Sequence, residues 1–225
     1  MSYLKTAAAA GLAALLATPA SALPLTGSFA TAVYYGSGLR TTGNNAPGGL
    51  NGTATQALPS AIGALSLVAS FTYTGPLAFA LPGNGTNSIA AFFASAGGST
   101  NGATLPTTVL SSGGFTDATL IKITFTTASA ITGSITHDDG ISLFAAGNTT
   151  TNLLPGFSAP TSAVSTPYSL AAGTYDLYYS EVNGLPATLN VDVATRAAVP
   201  EPVSLALLGA GLVGMGLAHR KTTRA

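Results

Sequence analysis

The sequence predicts an all-β protein, built as a single antiparallel β-sandwich domain. Apolar and polar residues alternate along several short runs; at residues 119–127, for example, Ile121, Ile123 and Phe125 occupy every second position around Lys122. The 27 glycines and 13 prolines punctuate the chain with turn signals. No segment of the body keeps a long helical period of about 3.6 residues. Many short strands separated by turns are typical of a sandwich.

The body of the chain is predicted to contain one short helix, two long loops and seven strands. Residues 87–96 place Phe92 and Phe93 on one apolar stripe and predict a short helix, although the same pair of phenylalanines also fits a strand. Residues 36–60 and 97–117 are rich in Gly, Ser, Thr, Asn and Pro and predict surface loops. Alternating or apolar runs predict strands at residues 28–35, 65–74, 119–127, 131–136, 141–145, 174–180 and 188–193.

Charge and cysteine content exclude several classes of protein. Only 6% of the 225 residues are charged, and there is no cysteine. The body, residues 23–198, is long enough for one domain and holds three basic and six acidic side chains, a net charge of −3. An acidic body argues against nucleic-acid binding, which needs a basic surface for the phosphates. The lack of cysteine excludes a disulfide-stapled fold.

The first 22 residues predict a secretory signal peptide. Lys5 supplies the positive start, residues 6–17 form an apolar run, and residues 20–22 read Ala-Ser-Ala, a small-residue cleavage site. The run of about 12 residues is too short to span a bilayer, which takes roughly 20 residues in a helix. Leu23 is therefore the predicted first residue of the mature chain.

The tail, residues 199–225, predicts a membrane segment. Its uncharged stretch at 203–218 would give about 24 Å of helix, close to the roughly 30 Å hydrocarbon core of a bilayer. The basic end orients such a segment with the body outside the membrane. The flanking residues that complete the pattern are Val199, Pro200, Glu201 and Pro202 before the stretch, and Arg220 and Lys221 after it.

This tail resembles the PEP-CTERM sorting signal of bacterial exported proteins, because motif, apolar stretch and basic cluster occur together. It departs from that pattern in carrying a single Arg220 between His219 and Lys221, where the family often has an arginine run. The resemblance implies recognition by an exosortase, a membrane transpeptidase-like enzyme of Gram-negative bacteria that make exopolysaccharide. It therefore implies export to the envelope, the outer surface or the extracellular matrix, with the tail in the membrane before processing.

Two adjacent aspartates, Asp138 and Asp139, form the candidate site. They lie between the predicted strands 131–136 and 141–145, and Gly140 follows them, which predicts a hairpin tip with a positive φ at the glycine. Neighbouring carboxylates repel one another, which suggests that a cation or backbone hydrogen bonds hold them together. Three interpretations stay open: a turn without metal, a structural Ca²⁺ site, and a Ca²⁺ site that faces a ligand.

The region around these aspartates resembles the second half of the protective-antigen-type carbohydrate-binding sandwich. The shared motifs are His-Asp-Asp-Gly at 137–140, Leu-Ala-Ala-Gly-Thr-Tyr at 170–175 and Tyr-Tyr-Ser-Glu at 178–181. The resemblance implies that Asp138 and Asp139 bind Ca²⁺ through a cis peptide and that this Ca²⁺ contacts sugar hydroxyls. Glu181 could be a Ca²⁺ ligand or a hydrogen-bond anchor for a loop, and we favour the anchor.

The residue types that are missing argue against an enzyme. The body has one histidine, His137, and no Gly-x-Ser-x-Gly motif, so a nucleophile and its base are lacking.

The leading hypothesis is an exported, matrix-associated protein that contacts exopolysaccharide with the help of Ca²⁺. The alternative is a structural or adhesive surface protein without a small ligand. The Thr-x-Thr pairs at 53–55, 72–74 and 124–126 also raise ice binding, which the lack of a regular repeat disfavours.

Overall fold

The structure is a computed structural model that describes residues 22–38 and 55–194. Short 3₁₀ turns lie at Pro59–Ala64 and Gly113–Phe115. The strands and the α-helix of the described part are, in chain order, β1 (Ala22–Pro24), β2 (Thr26–Ser37), β3 (Ser66–Pro76), β4 (Ala78–Leu81), α1 (Ile89–Ser95), β5 (Asp117–Thr127), β6 (Ile131–Asp138), β7 (Gly140–Ala145), β8 (Val164–Leu170), β9 (Gly173–Val182) and β10 (Ala187–Ala194).

The strands form two antiparallel five-stranded sheets, which confirms the predicted sandwich. The first sheet has the order β1–β10–β6–β8, and β4 also pairs with β10. The second sheet has the order β3–β2–β5–β9–β7. Each of the seven predicted strands is present, and of the two interpretations of residues 87–96 the short helix is the one that forms. Ser88 begins that helix as an N-cap, because its hydroxyl accepts a hydrogen bond of 3.1 Å from the Ala91 N–H.

Three strands were not predicted. β1 spans the predicted cleavage point, because it contains both Ala22, the last residue of the predicted signal peptide, and Leu23, the predicted first mature residue. β4 has only four residues, too few for an alternating pattern to register. β8 contains Pro167, which cannot donate to a sheet ladder and is tolerated there because β8 is an edge strand.

The core lies between the sheets and confirms the predicted strand phase. Ile121, Ile123, Leu189 and Val191 are each at most 1% exposed. Val193, the next alternate residue of β10, is half-buried. The helix adds an aromatic cluster to one side of this core, with ring centroids 5.0–6.0 Å apart among Phe71, Tyr73, Phe79, Phe92 and Phe93.

The aspartate pair does not lie at a hairpin tip, so that prediction was wrong. β6 ends at Asp138 and pairs with β10 and β8 in the first sheet. β7 begins at Gly140 and pairs with β9 in the second sheet. The chain therefore crosses from one sheet to the other at Asp138 and Asp139. Ile135 and Ile141 bury their side chains in the same core from opposite sheets, which a hairpin within one sheet would not allow.

Gly140 is required for close packing and not for a positive φ, which also corrects the prediction. Its backbone is not in the left-handed region. A Cβ at this position would lie 2.3 Å from the carbonyl oxygen of Ser158 and 2.8 Å from the Ser180 hydroxyl. Only glycine lets the segment around Ser158 approach the start of β7 this closely.

Part of the outer face of the second sheet is covered by the chain before β3. Leu120, Phe144 and Tyr178 project from this face and pack against Ala57 and Ala61. No helix within residues 22–38 and 55–194 is long and apolar enough to cross a membrane. The predicted membrane segment of the tail lies outside the described residues, as does the predicted signal peptide apart from Ala22.

Candidate metal centre

The crossover between the sheets opens onto a cleft of about 410 Å³. Three segments form its walls. They are Asp138 and Asp139 at the end of β6, the turn after β9, and the segment before β8. The lining residues are Phe115, Asp138, Asp139, Pro160, Thr161, Ser162, Val182, Asn183, Gly184, Leu185 and Pro186. The structure therefore brings both predicted site residues to one concave surface.

Asp139 is the more buried of the two aspartates, with 7% of its surface exposed. Its Oδ1 accepts a hydrogen bond of 3.1 Å from the Thr161 N–H, and its Oδ2 accepts one of 2.9 Å from the Val182 N–H. Burial raises the pKa of Asp139 to about 7, and the neighbouring charge of Asp138 adds to that rise. Within the described part of the chain, no Lys or Arg side chain pairs with this carboxyl group.

Asp138 lies at the surface of the cleft and is half-buried. Burial raises the pKa of its carboxyl group, although a hydrogen bond from the Ala163 backbone opposes the rise. The peptide bond between Asp138 and Asp139 is cis, as the family resemblance implied. The Asp138 carbonyl oxygen accepts a hydrogen bond from the Tyr179 hydroxyl.

A buried hydrogen-bond relay supports the cleft from below. Glu181 is fully buried; its Oε1 accepts a hydrogen bond of 3.1 Å from Ser111, whose Oγ accepts one of 2.9 Å from the Gly184 N–H. Its Oε2 lies 2.6 Å from the Tyr179 hydroxyl oxygen. Glu181 thus ties the turn after β9 to the segment before β5. This is the loop anchor that the sequence favoured.

Counting protons along the relay favours a neutral carboxylic acid at Glu181. The Tyr179 hydroxyl carries one proton, and the Asp138 carbonyl can only accept it. The contact between Tyr179 and Glu181 Oε2 therefore needs a proton from Glu181. Burial raises the pKa of Glu181 to about 10, and the negative charge of Asp139 adds to the rise, in agreement with this count.

His137 is a structural residue of the same crossover. It is fully buried. Its Nδ1–H donates to the Asp139 carbonyl oxygen, and its Nε2 accepts from the Thr166 hydroxyl at 2.9 Å. Burial lowers its pKa, so the ring is neutral with the proton on Nδ1. Both nitrogens are occupied, and the ring is therefore not placed to act as a base in the cleft.

The donor set of the cleft fits Ca²⁺ better than a softer metal. The two carboxyl groups supply hard oxygens, and an ionised carboxylate has about four lone-pair sites, of which Asp139 uses one on each oxygen. Among the described residues, no group of three or more His, Cys, Asp and Glu side chains is arranged around a common point. The remaining ligands of an ion would have to be amide, carbonyl or hydroxyl oxygens.

Sequence reasoning missed two parts of this cleft. Asn183 adopts a φ of 70°, and its Oδ1 accepts a hydrogen bond of 2.9 Å from the Gly114 N–H, which fixes the wall after β9. The Asn-Gly pair at 183–184 indicates a turn, but it does not indicate that Gly114 is the residue bound to that turn. Thr161 and its neighbours were also missed, because loop residues that act through their backbone leave no side-chain pattern in a sequence.

Comparison with known proteins identifies the tail directly. Residues 198–221 match the model of the PEP-CTERM protein-sorting motif. This match spans Val199, Pro200, Glu201 and Pro202 as well as Arg220 and Lys221, and it confirms that prediction. No curated protein matches the chain.

Two solved structures are similar to the body in fold. A PA14 sugar-binding domain from an RTX adhesin is 16% identical at a TM-score of 0.42, with 73% of this chain and 87% of that chain covered. A GH31 alpha-xylosidase from Xanthomonas citri is 8% identical at a TM-score of 0.39, with 82% of this chain but only 16% of that chain covered. The two antiparallel sheets make the described body a β-sandwich, and the chain carries a PEP-CTERM sorting motif at residues 198–221.

Proposed function

We propose that this is an exported protein of the envelope or extracellular matrix that binds exopolysaccharide with the help of Ca²⁺ held by Asp138 and Asp139. One observation carries the proposal: the nearly buried Asp139 carboxyl group has a hydrogen bond on each oxygen, lies beside a second carboxyl group, and has no basic partner among the described residues. A cation at the cleft would compensate both charges.

The position of the aspartates supports a site that faces a ligand. Asp139 is held by two backbone N–H groups from different segments, so its carboxyl group is fixed before any ion arrives. Asp138 lies beside it on the open side of the cleft. Bound Ca²⁺ takes six to eight oxygen ligands and could accept sugar hydroxyls where the protein leaves positions open.

Binding is favoured over catalysis by the state of the titratable groups. His137 has both ring nitrogens engaged, and Glu181 is fully buried beneath the cleft. Neither group can reach a bond held at the surface of the cleft. A glycosidase would need two carboxyl groups on opposite sides of that bond, whereas Asp138 and Asp139 are adjacent in the chain.

The sorting motif supports the proposed destination. A PEP-CTERM tail is expected to be recognised by an exosortase-type membrane enzyme, with the apolar stretch at 203–218 in the membrane before processing. The predicted signal peptide agrees with this route. The sorting motif and the predicted signal peptide together support an outer-surface or matrix location, in a Gram-negative bacterium whose biofilm matrix contains polysaccharide.

Thermal unfolding of the full chain with and without Ca²⁺ tests the proposal. A ligand that binds only the folded state stabilises it by about 2.7 kcal/mol at a hundredfold excess over Kd, so the Tm should rise in millimolar Ca²⁺. Asp138→Asn should remove most of that rise. Asp192→Asn is the matched control, because it removes one negative charge from a half-buried aspartate on β10 away from the cleft.

The structure makes Asp138 a better test position than Asp139. An Asn at 139 would turn an NH₂ group toward a backbone N–H and cost stability even without metal. A Tm that does not respond to Ca²⁺, or one that rises equally in Asp138→Asn, would contradict the metal site. The alternative would then be favoured: a structural or adhesive surface protein whose aspartates only shape the crossover.

A further inference from the structure

The outer face of the second sheet contains a groove of about 470 Å³, which we call the face groove. It shares no lining residue with the aspartate cleft. It is lined by Ala30, Thr31, Ala32, Tyr34, Ser70, Phe71, Thr72, Lys122 and Thr124. The groove therefore lies across the three neighbouring strands β3, β2 and β5.

The strand register explains the shape of the groove. Ala30 lies between Thr72 on β3 and Thr124 on β5, and Ala32 lies between Ser70 and Lys122 in the same way. The two alanines of the middle strand form a low floor, and longer side chains stand on both sides of it. Tyr34 closes one end with its half-buried ring.

An ion pair forms one wall of the face groove. Lys122 Nζ lies 3.0 Å from Asp176 Oδ2, and the Thr124 hydroxyl donates a hydrogen bond of 2.6 Å to Asp176 Oδ1. Lys122 alternates with the buried Ile121 and Ile123, and 30% of its side chain is exposed. It is the only Lys or Arg in residues 22–38 and 55–194.

A contribution to folding stability does not by itself explain the ion pair between Lys122 and Asp176. The Asp176 side chain is 8% exposed, and a nearly buried ion pair adds little stability, because desolvation offsets the attraction. Apolar residues could cover the same face, as Leu120 and Phe144 do nearby. The pair does place a fixed ammonium group and a fixed hydroxyl oxygen side by side at the groove.

These groups select the chemistry of a ligand. Lys122 and Asp176 cancel in charge, so the groove has no net charge to attract an anion. The floor offers only two methyl groups, too little for an apolar ligand. Lys122 can donate hydrogen bonds to a ligand. Thr124 can only accept them, because its hydroxyl hydrogen is already donated to Asp176, and the hydroxyls of Ser70 and Thr72 can do either. The Tyr34 ring can pack against C–H groups.

We propose that the face groove is a second glycan subsite, which binds a neutral oligosaccharide through hydroxyl hydrogen bonds and needs no metal. It goes beyond the proposed Ca²⁺ function, since it uses other residues on another surface. A neutral sugar ring offers the alternating donors and acceptors, the C–H faces and the lack of charge that this lining matches.

Calorimetry of the full chain in the presence of chelator tests this subsite. The probes are neutral glucan and xylan hexasaccharides, with a polygalacturonate oligomer as the anionic comparison. We expect at least one neutral probe to bind in chelator. Ala30→Leu fills the groove from an exposed position without removing a hydrogen bond, and it should weaken that binding by about tenfold or more.

Two further variants locate the binding. Lys122→Met should also weaken it by about tenfold, the effect of losing one charged hydrogen bond. Thr126→Val removes an exposed hydroxyl outside the groove and should change nothing. The proposal is overturned if no neutral probe binds in chelator, if only the anionic probe binds, or if Asp138→Asn abolishes binding that Ala30→Leu leaves intact. Failure of the Ca²⁺ response would leave this result unaffected.

Discussion

Glu181→Gln should make the stability of the protein less dependent on pH. The carboxyl group of Glu181 accepts a hydrogen bond from Ser111 and shares a second one with the Tyr179 hydroxyl. A glutamine side chain offers the same acceptor and a donor in place of the acid proton. The variant should therefore keep both hydrogen bonds of the relay while it removes the titrating group.

The magnitude follows from one proton. The ordinary pKa of a glutamate is 4.5, and burial raises that of Glu181 to about 10 in the folded chain. Between these values the folded protein keeps a proton that the unfolded chain has released, so raising the pH favours unfolding. The contribution of Glu181 is fully present below its unfolded pKa and falls by about 1.4 kcal/mol per pH unit above it. Between pH 6 and pH 8 the loss is about 3 kcal/mol.

Urea unfolding of the full chain at pH 6, 7 and 8 in chelator measures this loss. The parent should lose about 3 kcal/mol more than Glu181→Gln over that range, and the titration of Asp139, common to both, cancels in the difference. Glu181→Met breaks both hydrogen bonds and should be less stable at every pH, with the shallow slope of the glutamine variant. Parallel slopes in parent and Glu181→Gln would refute the neutral relay.

Three further substitutions test the fold and the crossover by urea unfolding. Ile123→Asp should cost more than about 4 kcal/mol, because a charge would enter a position that is 1% exposed; tolerance would mean that the strand phase is wrong. Gly140→Ala should cost about 1–3 kcal/mol by pushing a Cβ against the Ser158 carbonyl, and an unchanged midpoint would contradict the close approach. Asp139→Asn should cost about 1–3 kcal/mol in chelator by leaving one backbone N–H without an acceptor, whereas Asp192→Asn should cost less.

Most of the fold could be predicted because its information is local. The alternation of Ile121 and Ile123 with Lys122 fixes a strand and its buried face without any knowledge of its neighbours. β8 escaped prediction because Pro167 interrupts its pattern, and only its place at the edge of a sheet makes the proline acceptable.

The crossover at the aspartates could not be predicted from the residues alone. An Asp-Gly pair between two apolar runs has the pattern of a hairpin, and nothing local shows that the two runs belong to different sheets. The need for Gly140 likewise comes from Ser158, which lies 18 residues along the chain. The sequence therefore identified the right residues and the wrong geometry between them.

The partners of the site were also beyond local reasoning. Thr161 and Val182 hold Asp139 through backbone N–H groups, which every residue except proline has, so their identities carry no signal. Ser111 lies 70 residues from Glu181, and only the packed sandwich brings the two together. The face groove depends on register in the same way, since Thr72 and Thr124 meet across Ala30.

Glycan retention by the Ala30→Leu variant of the full chain, measured on an array with Ca²⁺ and with chelator, tests the central claim most directly. The substitution closes the face groove, so binding that remains must occur elsewhere. Ca²⁺-dependent binding at Asp138 and Asp139 predicts retention of polysaccharide with Ca²⁺, its loss in chelator, and its loss on adding Asp138→Asn to the same chain. Retention that is equal with Ca²⁺ and with chelator, or that survives Asp138→Asn, would contradict the account.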